Sequence, residues 1–583
     1  MQKNIWAVVL LALVFAGCKK TLLSPLDDNH RTLENIYSDP YFAEGILMNA
    51  YSKLPTNGYS FSEVATDDAV TNDKFSGLLT MATGSWSSSN NPMDQWTNSY
   101  TAIMYLNLFL KQVDSVNWSP MNKDVRTLFH DRLKGEALGL RGLFYLNLLQ
   151  AHAGPGNSGQ LLGVPIITDV LDPSSDFKKP RGTFDECMNQ IYSDLSEAEK
   201  YLPLDYQDIG GTTQLPPKYS NVAVADYNRV FGNYDKQRVS ARIVKAIRAR
   251  ASLLAASPAY NTQGNLTKWE DAANYAGNVL DLIGGVTGLD PKGHLFYTAN
   301  NVNSINLAGG VDQSEMLWRG SIATSNNLEQ NNFPPTLFGN GRVNPTQNLV
   351  DAFPMANGYP ITNPASGYVA TDPYTNRDPR LKNYILVNGG TVSNKTIWTK
   401  TDNPTNDALN ILPTSTRTGY YLRKLLREDV NLNPASPSVQ KHYPVHIRYT
   451  EIFLDYAEAA NEAWGPDGTG SHNYSARSVI AAIRKRAGIT QPDNFLASIT
   501  SKEDMRQLIR NERRLELSFE GFRFWDLRRW KASLVEPAKG ILINNNTFSV
   551  IPVENRQFVD FMYYGPIPYS EVLKESLQQN KGW

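Results

Sequence analysis

Apolar residues recur at three- and four-residue spacing over most of the chain, which predicts a mainly helical protein with two long polar interruptions. The first stripe is Ala43, Leu47, Ala50 and Leu54. Asp39 followed by Pro40 marks its start, since an aspartate accepts hydrogen bonds from free amides and proline fits the first turn. Residues 94–117 carry Trp96, Tyr100, Ile103 and Leu110 on one face, and 123–151 carry Leu133, Ala137, Leu140, Phe144 and Leu148. Further helices fit 183–201, 240–257, 268–283, 447–464, 474–487 and 502–530. Gly139 and Gly142, Ala246 and Ala249, and Ala272 and Ala276 put small residues where helices must approach closely. The first interruption, 55–93, is rich in Ser, Thr, Asn, Asp and Gly. The second, 284–443, loses helical periodicity and scatters aromatics among Asn, Gly, Pro and Thr, so it reads as an irregular subdomain with short strands. The expected organisation is a helical region 32–283 with the loop 55–93, an insertion 284–443, and a C-terminal helical region 444–583 completing the scaffold.

The amino end has another character. Lys3 precedes a thirteen-residue apolar run, Ile5 to Gly17. A membrane-crossing helix needs about 20 residues, so 1–17 reads as a signal peptide. Ala16 and Gly17 stand directly before Cys18, an arrangement that resembles a bacterial lipobox, although Phe15 occupies a position where Leu, Val or Ile is usual. The resemblance implies that Cys18 is acylated and becomes the first residue, with 18–31 as a polar tether.

Composition then removes several function classes. With 56 basic and 57 acidic residues the formal net charge is −1, which offers no electrostatic footprint for nucleic acid. If Cys18 is lipidated, Cys187 has no disulfide partner; it shares a helical period with Phe184, Ile191 and Leu195 and reads as a small core residue. There is no H-E-x-x-H, no G-x-S-x-G, no phosphate-cradling glycine loop and no dinucleotide fingerprint. His442 and His446 are four apart, a metal-binding spacing only on a helix, and Pro444 lies between them, so no metal and no cofactor is expected. Along 447–464, Arg448, Glu451, Asp455, Glu458 and Glu462 form one stripe; along 506–526, Glu512, Glu516 and Glu520 lie on the ridge of a core stripe. Carboxylates so placed must be paired, with Arg513, Arg514 and Arg523 at hand, and the reading is a structural ion network rather than a catalytic pair.

Helix pairs with small residues at their contacts resemble tetratricopeptide repeats without a strict period. Ordered blocks extend the likeness. They include Trp96-x3-Tyr100-x2-Ile103-x3-Asn107, Glu136-Ala137 with Arg141 and Tyr145, Gly163-Val164-Pro165, and Ser257-Pro258-Ala259-Tyr260-Asn261. Asp351-Ala352-Phe353-Pro354-Met355 and Arg377-Asp378-Pro379-Arg380 follow. Later come Ile447-Arg448-Tyr449-x-Glu451, Tyr456-Ala457-Glu458-Ala459-x-Asn461-Glu462, Ile483-Arg484-x-Arg486-Ala487-Gly488, and Asn511-Glu512-Arg513-Arg514-x-Glu516-x2-Phe519-Glu520-Gly521. Ile567-Pro568 and Gln579-Asn580-x-Gly582-Trp583 close the chain. In this order the blocks resemble the SusD/RagB family of surface lipoproteins. The resemblance implies a tetratricopeptide-like scaffold, anchoring in the outer membrane facing the exterior, and a place beside a SusC-like TonB-dependent transporter. It also implies capture of an oligosaccharide, or of a peptide in some members, with no catalysis. An α-helical glycoside hydrolase and a purely structural partner of the barrel are the competing expectations.

Ligand capture needs aromatic faces and amides or carboxylates on loops held by a rigid frame. Two segments have that composition, 66–75 and 331–340, and the family resemblance implies that these regions line the ligand face. The candidates are Asp68, Asn72, Phe75, Phe333 and Phe338. Trp86 and Trp96 read as core.

Overall fold

The computed structural model describes residues 39–55, 59–171, 174–175, 177–306 and 311–583; the expected signal peptide 1–17, Cys18 and the tether 18–31 lie outside the described residues. The frame is helical: α1 (Pro40–Tyr51), α2 (Trp96–Gln112), α3 (Lys123–His152), α4 (Phe184–Ala198), α5 (Val224–Phe231), α6 (Ala241–Ala256), α7 (Leu266–Asp281), α8 (Tyr449–Trp464), α9 (Ala476–Ala487), α10 (Lys502–Glu516) and α11 (Arg523–Trp530). Helix starts follow local chemistry. Asp39 Oδ1 accepts the amides of Tyr41 and Phe42 at 3.1 and 3.2 Å, and Thr183 with Glu186 forms a capping box ahead of α4.

Neighbouring helices stack in sequence. α1 packs on α2, α2 on α3 and α3 on α4; α4 meets α6, α6 meets α7 and α7 meets α8, which then carries α9 and α10. The stripe of α3 is sealed, with Leu133, Ala137, Leu140, Phe144 and Leu148 at 0–1 % exposure. Glycine sets the closest approach: a Cβ on Gly142 would stand 2.9 Å from Leu195 Cδ2, so α4 sits almost on the α3 backbone. The likeness to tetratricopeptide repeats therefore holds at the level of stacked helix pairs. Cys187 is fully buried in this core, and burial pushes its thiol up to about 11, which makes it inert. Among the described residues, no helix is long and apolar enough to cross a membrane.

One predicted helix is broken. The stretch 502–530 forms α10 and α11 separated by a turn in which Phe519 has φ 64° and Gly521 φ 86°. Phe519 is fully buried in a second core, and its left-handed backbone breaks the helix there. α5 lies in a stretch that periodicity did not identify as helix.

Between 284 and 443 the described elements are short helices and two- to four-residue strands. Each sheet is two-stranded, and two of them fasten this segment to other parts of the chain. Met316–Arg319 pairs with Val445–Arg448, immediately before α8, and Val343–Pro345 pairs with Ala69–Thr71 of the 55–93 loop. The second core beneath joins Phe353, Tyr384 and Tyr421 to Leu515 and Phe519.

Buried ion pairs reinforce the junction. Glu512 accepts from Arg380 at 2.9 Å and Arg484 at 2.8 Å; Glu516 accepts from Arg486 at 2.5 Å and Arg380 at 3.2 Å; Glu520 accepts from Lys424 at 2.6 Å and Arg448 at 2.7 Å. The partners differ from those nearest in sequence. Arg513 turns instead to Asp455 and Asp526, while Arg514 and Arg523 reach Asp67.

Candidate functional site

The strand pair 69–71 with 343–345 brings the 55–93 loop against the insertion, and a cleft of about 420 Å³ opens beside it. One wall comes from Tyr59 and Phe61, whose ring centroids lie 6.3 Å apart. Phe61 holds φ 49°, a left-handed conformation that costs a bulky residue about 1–3 kcal/mol and that surrounding structure must impose. The lining also includes Asn327 and Asn331, both on the short helix Asn327–Asn332. Both residues are exposed and, among the described residues, their side-chain amides make no hydrogen bond, so each offers donors and an acceptor. Phe296, Val302 and Leu425 supply an apolar floor, and Arg342, Lys441 and Asp73 supply charge. Burial raises the Tyr59 hydroxyl well above the usual tyrosine range, so it stays a neutral hydrogen-bonding group.

The loop carrying this wall is held from below. Asp67 and Asp68 grip Arg514 at 2.8 and 2.5 Å, and Arg523 adds a 3.1 Å contact to Asp67. Burial works against ionisation of both acids. The paired guanidinium groups nevertheless hold Asp67 well below the usual carboxylate range, whereas Asp68 remains above it. Thr346 donates from its amide to Asp68 O at 3.0 Å, which closes the clamp.

The five sequence candidates divide between fastening and exposure. Asp68 is fully buried in the Arg514 clamp. Asn72 donates through Nδ2 to the carbonyls of Asn340 and Gly341, both at 2.9 Å, and ties the two candidate segments together. Phe333 is 2 % exposed and belongs to the second core. Phe75 and Phe338 are 96 % and 56 % exposed on those tied segments. None of the five lines the cleft, but their chain neighbours Thr71, Asp73, Asn331 and Asn332 do. Tyr59 and Phe61 were not singled out from sequence, and the signal available was an aromatic pair two residues apart inside a polar loop. Trp86 and Trp96 are both 6 % exposed core residues.

A second cleft of about 310 Å³ shares Tyr59 and runs between α6, α8 and α11. It is rich in ionisable groups, and they pair off: Arg250 with Glu451, Arg513 with Asp455 at 2.6 Å, Arg529 with Asp526 at 2.9 Å, and Arg448 with Glu520 at 2.7 Å. Asp455 keeps one oxygen without a partner, and burial, opposed by Arg513, pushes its carboxyl up to about 7. His442 stands 3.4 Å from Glu329, and His446 packs its ring 4.7 Å from that of Trp318. Among the described residues no three His, Cys, Asp or Glu side chains converge as a metal site.

A model described as the SusD family matches residues 305–583, and a model described as starch-binding, associating with outer membrane, matches residues 31–227. A SusD-like protein P38 from Formosa agariphila is 33 % identical over 100 residues; that match spans 16 % of this chain and only 18 % of the relative's length. Among solved structures, a SusD-like protein from Bacteroides fragilis superposes with a TM-score of 0.72 at 24 % identity, covering 96 % of this chain and all (100 %) of the other. A SusD-like carbohydrate binding protein from the same species gives 0.67 at 19 % identity, covering 92 % and 98 %. Surface glycan-binding protein A from Bacteroides fluxus gives 0.59 at 16 %, covering 94 % and 100 %. At these identities the structural likeness establishes the fold.

Proposed function

Because the chain belongs to the SusD/RagB family, we propose that it is a glycan-binding protein of the outer membrane that captures an oligosaccharide in the cleft beside Tyr59 and Phe61. The observation that carries this reading is the combination of a strained aromatic wall with the Asn327 and Asn331 amides in a cleft of about 420 Å³. Aromatic faces cover the apolar side of a sugar ring, and free amides meet its hydroxyls. Anchoring through an acylated Cys18 and delivery to a SusC-like TonB-dependent transporter complete the proposal. Extraction in mild detergent is expected to bring down a large β-barrel protein, and a barrel-free monomer would count against delivery to a transporter.

The binding test is affinity electrophoresis of a soluble protein starting after Cys18 against a panel of polysaccharides and peptides. Phe61→Gly removes the ring and relieves the left-handed backbone, which offsets the packing lost on the second core, so it is expected to fold while losing affinity about tenfold. Unchanged glycan affinity in a folded Phe61→Gly protein would remove the cleft from the proposal. Retention of peptides alone would favour the peptide alternative.

A hydrolase reading has one observation in its favour, the half-unpartnered Asp455 poised near neutrality in the second cleft. Its neighbouring carboxylates Glu451, Asp526 and Glu520 are each bound to arginine, so none of the three is free to act as a second carboxylate. Prolonged incubation with bound glycan is expected to release no new reducing ends.

A further inference from the structure

Resting on the glycan-binding reading of the first cleft, we infer that its saccharide is anionic, carrying carboxylate or sulfate groups that Arg342 and Lys441 receive. Charge is otherwise tightly matched in this protein. Basic and acidic residues number 56 and 57, and interior guanidinium groups such as Arg380 sit against two or three carboxylates at once.

The cleft departs from that balance. Arg342 leads into the strand Val343–Pro345 with its side chain 37 % exposed, and its polar contacts are a 3.4 Å hydrogen bond to Asn72 Oδ1 and Asp73 at 4.0 Å. Asp73 is itself 38 % exposed, so the pair is a weak one at the limit of contact. Lys441, in the strand Gln440–His442 opposite Thr324, is exposed, and among the described residues it forms no ion pair. His442 stands 3.4 Å from the buried Glu329, whose other oxygen accepts the Arg427 amide and which does not line the cleft. Two loosely held cations thus face one carboxylate within a concave, partly apolar surface.

Such a surface focuses a positive field on whatever enters it, and a planar guanidinium fork matches a carboxylate or sulfate in two-point contact. A neutral glycan would be served by the aromatic wall and the Asn327 and Asn331 amides without either cation. The unsatisfied charges therefore select among sugars that the rest of the cleft accepts.

The test is affinity electrophoresis of the soluble full mature chain in three sets of gels: polygalacturonate and alginate for carboxylate, chondroitin sulfate and a carrageenan for sulfate, and fully methyl-esterified pectin, dextran and xylan as neutral polymers. The expected result is retardation by at least one anionic polymer, lost when ionic strength is raised, with weaker or no retardation by the neutral set. The carboxylate and sulfate gels separate the two sources. Arg342→Gln and Lys441→Gln are each expected to weaken the anionic interaction about tenfold, in keeping with loss of one charge-assisted contact. Both side chains lie outside the cores, so either variant reports if the other misfolds. Retardation by neutral polymers only, or wild-type affinity for the anionic polymer in both folded variants, overturns the inference and leaves the glycan reading standing. No retardation in any gel overturns both.

Discussion

Glu63 shows at the scale of one residue how the cleft loop is held under load. It lies in the 3-10 turn Ser62–Ala65 behind Phe61, is fully buried, and accepts the Gly521 amide at 2.8 Å through one oxygen while the other has no partner. Burial without a cation in contact pushes its carboxyl from 4.5 up to about 7. The folded state therefore keeps a proton that the unfolded chain releases near pH 4.5. Below that pH both states hold the proton and Glu63 exacts no penalty; between 4.5 and about 7 the penalty grows, and above 7 it is complete, on the order of 3 kcal/mol. Glu63→Gln keeps an acceptor for Gly521 and has no charge to bury. Urea denaturation at pH 5 and pH 8 should show the variant gaining about 2–3 kcal/mol on the wild type between the two conditions. Comparing the pair cancels other groups, such as Asp455, whose raised carboxyl acts in the same direction. A difference between wild type and variant that is the same at both pH values would mean that Glu63 ionises normally.

Between helices, two glycines with opposite surroundings separate backbone preference from packing. Gly45, inside α1, has nothing within 4 Å of where a Cβ would sit, so Gly45→Ala should stabilise by about 0.5–1 kcal/mol. Gly142 meets Leu195 Cδ2 at 2.9 Å and Cγ at 3.1 Å, so Gly142→Val must push α4 off α3 and should destabilise by about 1–3 kcal/mol. Thermal melts giving both changes the same sign would refute the close α3–α4 seam. The same elements show what the sequence makes legible. Local periodicity sufficed for α3, whose five stripe positions all fall in the core, although neighbours bury this helix on every side from Gly135 to Leu146. It failed at 517–522: the apolar spacing runs on through Leu515 and Phe519, but the second core draws Phe519 into a left-handed turn that also lets Glu520 reach Lys424 and Arg448. In the candidate site, polar composition identified the segments that meet at the cleft, not the side chains that face it. Facing is decided by the distant pairing of 69–71 with 343–345; alternation beyond it turns Thr71 and Asp73 toward the cleft and Asn72 toward Asn340.

Across the whole molecule, the buried carboxylates of 512–520 bind the insertion to the helical stack. Arg380 and Lys424 come from 284–443, Arg448 from the strand entering α8, and Arg484 and Arg486 from α9, so three segments converge on one ridge. Glu516 is its centre. Burial alone would raise its carboxyl, but Arg486, Arg448 and Arg380 hold it far below the usual range. Replacing such a group by an apolar one leaves its cations buried and unpaired, a loss of about 3–5 kcal/mol, whereas an exposed pair such as Lys200 with Glu197 contributes little. Glu516→Ala should therefore lower the unfolding midpoint strongly, and Glu197→Ala should leave it unchanged. The position of Glu516 adds a second expectation: with the ridge weakened, the insertion should open before the helical stack, so tryptophan fluorescence and helical circular dichroism should no longer report one coincident transition. A Glu516→Ala protein that unfolds in a single transition at the wild-type midpoint would show that the second core alone carries the junction. The cleft, which has one side on each body, would then owe its shape to apolar packing rather than to charge.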